Sequence, residues 1–111
     1  MNIEDYYPVI NAAYIYMMIG GSKKKKGRKL AQYIITSWGN LKDNNWWRQA
    51  TIAEAQLLLG DYLESENTFK EAVEAGKPDK FMLETTREQI KIYSVIDKIE
   101  TKIEGILKIL N

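Results

Sequence analysis

Apolar residues recur at three- and four-residue spacing along almost the whole chain, and the strict alternation typical of β-strands is nearly absent. The first such pattern follows Pro8, which suits the first turn of a helix because its missing N–H is not needed there. It ends at Gly20 and Gly21, since glycine accepts the left-handed conformation at a helix C-terminus. Similar patterns predict helices over about 27–38, 46–59, 63–75 and from about 79 onward. Because the turns are short, paired helices should be antiparallel, and the sequence predicts an all-α fold of helix hairpins.

Two residue types are missing from the sequence, and this removes much chemistry. The 111 residues include no cysteine and no histidine. Disulfides, zinc sites of thiolate and imidazole, and catalysis by cysteine or a serine–histidine pair are therefore excluded. Carboxylates such as Glu66 and Glu74 are expected on the exposed side of an amphipathic helix, with no convergent set of titratable groups. We expect a single domain over 1–111 that is not an enzyme and that has no cofactor and no metal.

The sequence also carries expectations about location. Glu4 and Asp5 stand where a secretory signal would have a basic region, so no such signal is expected. No apolar run approaches the roughly 20 residues that a membrane span requires. We therefore expect a cytoplasmic protein with no membrane span.

The stretch 46–79, "WWRQATIAEAQLLLGDYLESENTFKEAVEAGKPD", has the 34-residue length of a tetratricopeptide repeat and resembles one in residue types. In this resemblance Gly60-Asp61-Tyr62 forms the turn between the two helices. The small or aromatic positions of the repeat are occupied by Ala53, Ser65, Phe69 and Ala72. A first unit over about 7–40 fits the same pattern through Ala13, Gly20, Gly27, Ala31 and Ile34. The resemblance implies two repeat-like hairpins followed by a C-terminal capping or association helix over about 79–110.

Three shorter motifs are similar to a narrower family. Tyr7-Pro8, Gly60-Asp61-Tyr62 and Thr86-Arg87-Glu88-Gln89 follow one another as in the tetratricopeptide-type TRAF-binding region of mitogen-activated protein kinase kinase kinases and its bacterial relatives. This resemblance covers about residues 5–93. It implies a regulatory or scaffold domain that binds other proteins, and it carries no catalytic residues.

Six of the sixteen basic residues lie within Lys23–Lys29, which we call the basic cluster. On the repeat pattern this segment is predicted to be an enlarged, solvated turn between the first two helices. The alternative is binding of nucleic acid or another anionic surface, or a nuclear-import signal. Nucleic acid is disfavoured, because sequence-specific recognition needs side chains that read bases as well as charge. Outside the cluster, acidic residues outnumber basic ones.

The repeat pattern also predicts which residues of the first helices face a concave binding surface. They are Tyr7, Tyr14, Met17, Trp47, Glu54, Leu57, Phe81, Glu84 and Glu88. Tyr14, Trp47 and Phe81 are the expected anchors for a protein or peptide partner, because rigid aromatic side chains concentrate binding energy. The carboxylates Glu54, Glu84 and Glu88 favour a partner with basic or hydrogen-bond-donating groups. The alternative, that most of these residues form the core, stays open at the level of sequence.

The C-terminal segment contains apolar residues at spacings of 4, 3, 4, 3 and 4. They are Ile92, Ile96, Ile99, Ile103, Ile106 and Leu110, which we call the C-terminal seam. A heptad pattern of this kind favours helix–helix association, and self-association into a homo-oligomer is the preferred interpretation. The alternative is that the segment folds back and closes the end of the repeat stack, with Asp97 and Glu100 starting a separate helix.

Overall fold

The structure, a computed structural model, describes residues 6–111; Glu4 and Asp5, used above, lie outside the described residues. Within this range the chain forms six α-helices and no strand, which confirms the all-α prediction. The helices are α1 (Tyr6–Ile19), α2 (Lys23–Trp38), α3 (Trp46–Leu58), α4 (Tyr62–Gly76), α5 (Lys80–Ile96) and α6 (Glu104–Ile109), with a 3-10 turn at Glu100–Lys102. None of these helices has the length and apolar character needed to cross a bilayer.

The first hairpin joins α1 to α2 through a tight turn. Gly20 and Gly21 adopt φ values of +79° and +55°, which L-residues with side chains rarely accept. The two helices lie close together at Gly27, where an added Cβ would lie 2.8 Å from Met17 Cγ. Ala31 is buried on the same face of α2. Small residues therefore allow the two helices to pack tightly, as the repeat pattern predicts.

The basic cluster does not form the enlarged turn that the sequence suggested. The helix α2 begins at Lys23, about four residues earlier than predicted, so the lysines occupy its first turn. Lysine is a good helix former, and the side chains of Lys23, Lys25 and Lys26 point into solvent, where their mutual repulsion is weak. Lys24 differs because it forms an ion pair with Asp97 at the end of α5. The extra residues relative to a repeat therefore lengthen the helix.

The second hairpin joins α3 to α4. Asn45 caps α3, because its side-chain oxygen accepts a hydrogen bond of 3.0 Å from the Arg48 backbone N–H. The turn contains Gly60 at φ +85°. Across the hairpin, the buried Ser65 hydroxyl donates a 2.7 Å hydrogen bond to the Ala53 carbonyl. This bond links the two helices within their buried contact, where both residues are fully buried.

The helix α5 follows α4 in sequence but also packs against the first hairpin. Asp79 caps it by accepting from the Met82 backbone N–H at 2.9 Å. The Tyr93 ring lies edge-on to the Tyr14 ring of α1, with centroids 5.7 Å apart. The Tyr93 hydroxyl donates to Asp97, which is also the partner of Lys24. Thus α5 reaches across to α1 and α2 and covers part of the face that the sequence predicted to be open.

The C-terminal seam is not one continuous helix. The helix α5 ends at Ile96, and the chain turns through Lys98, whose φ is +58°. Four seam residues beyond this turn, namely Ile99, Ile103, Ile106 and Leu110, are buried within the chain. The short α6 packs on α4, where an added Cβ at Gly105 would overlap the Glu66 carboxyl. The preferred interpretation, that the whole seam faces another chain, is therefore wrong for these four residues; only Ile92 and Ile96 are exposed.

Candidate functional site

A cleft of about 270 Å³ lies between α1, α3 and α5. Its lining residues are Tyr6, Tyr7, Ile10, Asn11, Trp47, Thr51, Glu54, Phe81, Thr85, Thr86 and Gln89. The lining residues lie in the N-terminal half of α1, in the first three turns of α3 and in the first three turns of α5. The cleft is therefore fixed by helix packing and does not depend on a loop.

Aromatic side chains form the rim of this cleft. The exposed fractions are 59% for Tyr7 and 71% for Phe81, and Trp47, which is half-buried, belongs to the same lining. Large aromatic rings around a concave site are typical of binding surfaces, because they can bury much area on contact with little loss of side-chain entropy. The rim is thus the part of the cleft suited to contact a ligand.

The floor of the cleft contains one carboxyl group, that of Glu54. Its exposed fraction is only 8%, and Oε2 accepts a 2.5 Å hydrogen bond from the Tyr14 hydroxyl. Burial raises the pKa of Glu54 to about 7, although the hydrogen bond from Tyr14 lowers it in part. Burial, together with the charge of and hydrogen bond to Glu54, raises the pKa of Tyr14 well above its ordinary value. Tyr14 therefore remains the donor, and Glu54 changes charge near neutral pH.

Glu54 has no cationic partner among residues 6–111. The basic residue of the same helix, Arg48, pairs with Asp43 and lies over the Trp38 ring at 5.6 Å. The second carboxyl oxygen, Oε1, accepts no hydrogen bond from the described part of the chain. A buried carboxylate without these partners is costly, which is why its proton is held to a higher pH.

Four of the predicted partner-binding residues meet in this cleft. Tyr7, Trp47, Glu54 and Phe81 come from three different helices and lie in one lining. Three others, Tyr14, Met17 and Leu57, are buried core residues, so their assignment to an open concave surface is corrected. For Tyr14 the pattern failed because Tyr93 of α5 packs on its ring, whereas Met17 lies against Gly27 of α2. Tyr14 nevertheless acts on the site from beneath, through its bond to Glu54.

The remaining two predicted residues lie elsewhere on α5. Glu84 is 3.8 Å from Lys80, and Glu88 is 3.7 Å from Lys91, in surface ion pairs outside the cleft lining. The cleft face of α5 is instead Phe81, Thr85 and Gln89, which are four residues apart. The sequence prediction included Phe81 but then chose Glu84 and Glu88, each one residue before the lining residues Thr85 and Gln89. A shift of one residue turns the helix face by about 100°. A spacing of four residues, counted from Phe81, identifies Thr85 and Gln89 as the residues on its face of the helix.

Comparison of the chain with family models, curated proteins and solved structures found no match. The fold and the cleft define a small protein of two helix hairpins with an aromatic-rimmed cleft above a buried carboxyl.

Proposed function

We propose that this chain is a non-enzymatic, tetratricopeptide-like interaction domain that binds a peptide segment of a protein partner in the cleft between α1, α3 and α5. The observation that carries the proposal is the convergence of Tyr7, Trp47 and Phe81 around one concave site. Two of these rings are largely exposed, which leaves apolar area in water that a partner would cover. The removal of this apolar area from water contributes favourably to the free energy of binding.

The small size of the cleft defines what it accommodates. At about 270 Å³ it lies just below the range of about 300–1,000 Å³ that is usual for small-molecule pockets. A volume of this size accommodates a single side chain rather than a whole helix, whose diameter with side chains is about 10–12 Å. The proposed ligand is an extended segment that inserts one side chain between the aromatic rings and extends past Tyr7 and Phe81.

The tetratricopeptide-like assignment is supported by the packing of small residues at the helix contacts. Ala53, Ser65 and Ala72 are buried within the second hairpin, and Gly27 plays the corresponding part in the first. These are the positions at which the repeat pattern requires close approach.

Selection of peptides displayed on phage tests the proposal. Peptides that bind the wild type are screened against Trp47→Ala/Phe81→Ser and against Leu63→Ser, a matched control because Leu63 is 70% exposed and lies on α4 outside the cleft. We expect the selected peptides to lose at least about tenfold in affinity for the cleft variant and to bind the control normally. Equal binding to the wild type and the cleft variant would contradict the proposal.

The alternative function is binding of nucleic acid or another anionic surface through the basic cluster. It is supported by the exposure of five of the six basic residues on the first two turns of α2, where Lys24 alone is paired. A titration with a single-stranded oligonucleotide at rising salt tests this alternative. Affinity that falls steeply with salt, and that is lost in Lys23→Ser/Lys25→Ser/Lys26→Ser, would favour it over the cleft.

A further inference from the structure

Building on the proposed function, we propose that the side chain inserted into the cleft is a lysine, with its primary ammonium bound between the aromatic rim and Glu54 Oε1. The partner would thus be a peptide segment that presents an unmodified lysine. The cleft supplies both kinds of group that such a side chain needs. Tyr7 and Phe81 offer apolar surface for the methylene stem, and Trp47 and Glu54 lie deeper for the charge.

The carboxyl of Glu54 is the first argument. One oxygen is bound by Tyr14, whereas Oε1 has no hydrogen-bond partner within residues 6–111, and Glu54 borders the cleft. An acceptor in such a position is complementary to an N–H donor that enters from the cleft. A cationic donor adds the ion pair that Glu54 otherwise lacks.

The aromatic rings are the second argument. A cation is attracted to the faces of tryptophan, tyrosine and phenylalanine, and the attraction grows when water is removed from around the charge. The lining places a tryptophan, two tyrosines and a phenylalanine around one carboxyl. A purely apolar ligand would use the rings but would leave the carboxyl without a partner, which is unfavourable in a buried site.

The geometry of the acceptor selects lysine over two other cations. The arginine guanidinium forms its strongest contact when both carboxylate oxygens are available, but Tyr14 already occupies Oε2. Trimethyllysine would satisfy the rings, but it has no N–H to donate to Oε1. A primary ammonium can donate a hydrogen bond to a single carboxylate oxygen. It therefore matches Glu54, in which Tyr14 occupies Oε2 and only Oε1 is available.

A pH dependence follows, because the ammonium binds the ionised carboxyl. Tyr14 and Tyr6 of α1 interact with Glu54, Arg48 of α3 lies near Tyr6, and Tyr93 of α5 packs on Tyr14. The three tyrosines have pKa values raised above their ordinary value of 10, so none of them changes charge between pH 6 and 8. With the pKa of Glu54 at about 7, affinity for a lysine peptide should rise about tenfold from pH 6 to pH 8.

Peptide pools that differ at one position test the inference. Short peptides randomised among glycine, alanine and serine carry a fixed central lysine, ε-acetyllysine, trimethyllysine, arginine or leucine. Binding is followed by the indole N–H signal of Trp47 in 1H–15N spectra, assigned with Trp47→Phe. We expect the lysine pool to bind at least about tenfold more tightly than the acetyllysine and leucine pools at pH 8.

The variant Glu54→Gln completes the test, because its amide oxygen can still accept from Tyr14. We expect it to lose the preference for lysine over acetyllysine and to lose the pH dependence, whereas Glu88→Gln, outside the cleft, retains both. Equal binding of the lysine and leucine pools would overturn the cation site but leave a peptide-binding cleft. Tighter binding of the arginine or trimethyllysine pool would overturn the choice of lysine. A Trp47 signal that no pool shifts would overturn both the cation site and the proposed function.

Discussion

The hydroxyl of Tyr14 donates a 2.5 Å hydrogen bond to Glu54 Oε2, and this contact joins α1 and α3 at the floor of the cleft. Both residues were predicted to face a partner directly. Only Glu54 borders the cleft, and Tyr14 holds one of its oxygens from the core. The position of the free oxygen, and therefore the chemistry of the site, depends on this buried pair.

The raised pKa of Glu54 predicts an unusual dependence of stability on pH. The ordinary pKa of 4.5 applies to the unfolded chain and about 7 to the folded one, so between these values the folded state binds the additional proton. This contribution to stability is fully present below pH 4.5 and is lost as pH rises through 7. As pH rises from 4.5 to above 7, the free energy of unfolding of the wild type should therefore fall by about 3 kcal/mol relative to that of Glu54→Gln.

Urea unfolding at several pH values measures this difference. The matched control is Glu88→Gln, because Glu88 is exposed and its substitution changes the formal charge equally. A constant difference between Glu54→Gln and the wild type from pH 4.5 to 8 would show that Glu54 is ionised throughout.

The bond between Ser65 and the Ala53 carbonyl predicts a cost for removing the hydroxyl. The repeat pattern alone suggests that Ser65→Ala is nearly neutral, since alanine is common at that position. Because the hydroxyl donates a buried 2.7 Å bond, we now expect a loss of about 1 kcal/mol. Ala72→Leu in the same helix should cost more, about 1–3 kcal/mol, by overpacking. Thermal melts measure both variants. A Ser65→Ala variant that melts like the wild type, with Ala72→Leu melting lower, would show that the hydrogen bond contributes little and that the repeat pattern predicts the effect correctly.

The lysines of the basic cluster should differ in their effect on stability. Asp97 is partly buried, which raises its pKa, but hydrogen bonds from Lys24 and Tyr93 outweigh this, so the pKa of Asp97 is lowered. We expect Lys24→Ser to cost about 1 kcal/mol, discounted for the partial exposure of the pair. The control Lys25→Ser should be neutral or slightly stabilising, since it removes a positive charge near a helix N-terminus. Equal melting temperatures for both variants would show that the ion pair contributes nothing.

The two halves of the C-terminal seam should respond differently to charge. Ile99→Lys/Ile103→Lys introduces two charges into the core and should abolish folding. Ile92→Lys/Ile96→Lys changes exposed positions and should melt like the wild type. Circular dichroism decides this, and a folded Ile99→Lys/Ile103→Lys would mean that the segment is not core.

Self-association remains a prediction, now confined to Ile92, Ile96 and the exposed Val95 between them. Light scattering on the wild type and on Ile92→Lys/Ile96→Lys measures it. A wild-type dimer that becomes a monomer in this variant would assign the interface to this patch. A wild type that stays monomeric at micromolar concentrations would exclude it.

Prediction from sequence succeeded where local rules decide the outcome. Helix periodicity and glycine turns depend on neighbouring residues, and five helices were found with errors of a few residues. It failed where distant parts of the chain decide. The packing of α5 against α1 turned Tyr14 into core, and this contact leaves no periodic signal in the sequence. The sequence left open whether the segment after Ile96 folds back from Asp97 and Glu100 as a separate helix, and its burial against α4 decides for that alternative.

Mapping of a selected peptide by 1H–15N spectroscopy tests the central proposal most directly. A phage-selected peptide is titrated into the 15N-labelled protein, and shift changes are assigned along the chain. The proposal predicts that the largest changes fall on residues lining the cleft, among them the Trp47 indole and the backbone of Phe81, Thr85 and Gln89. Changes centred on the basic cluster or on Ile92–Ile96, with the Trp47 signal unmoved, would contradict it.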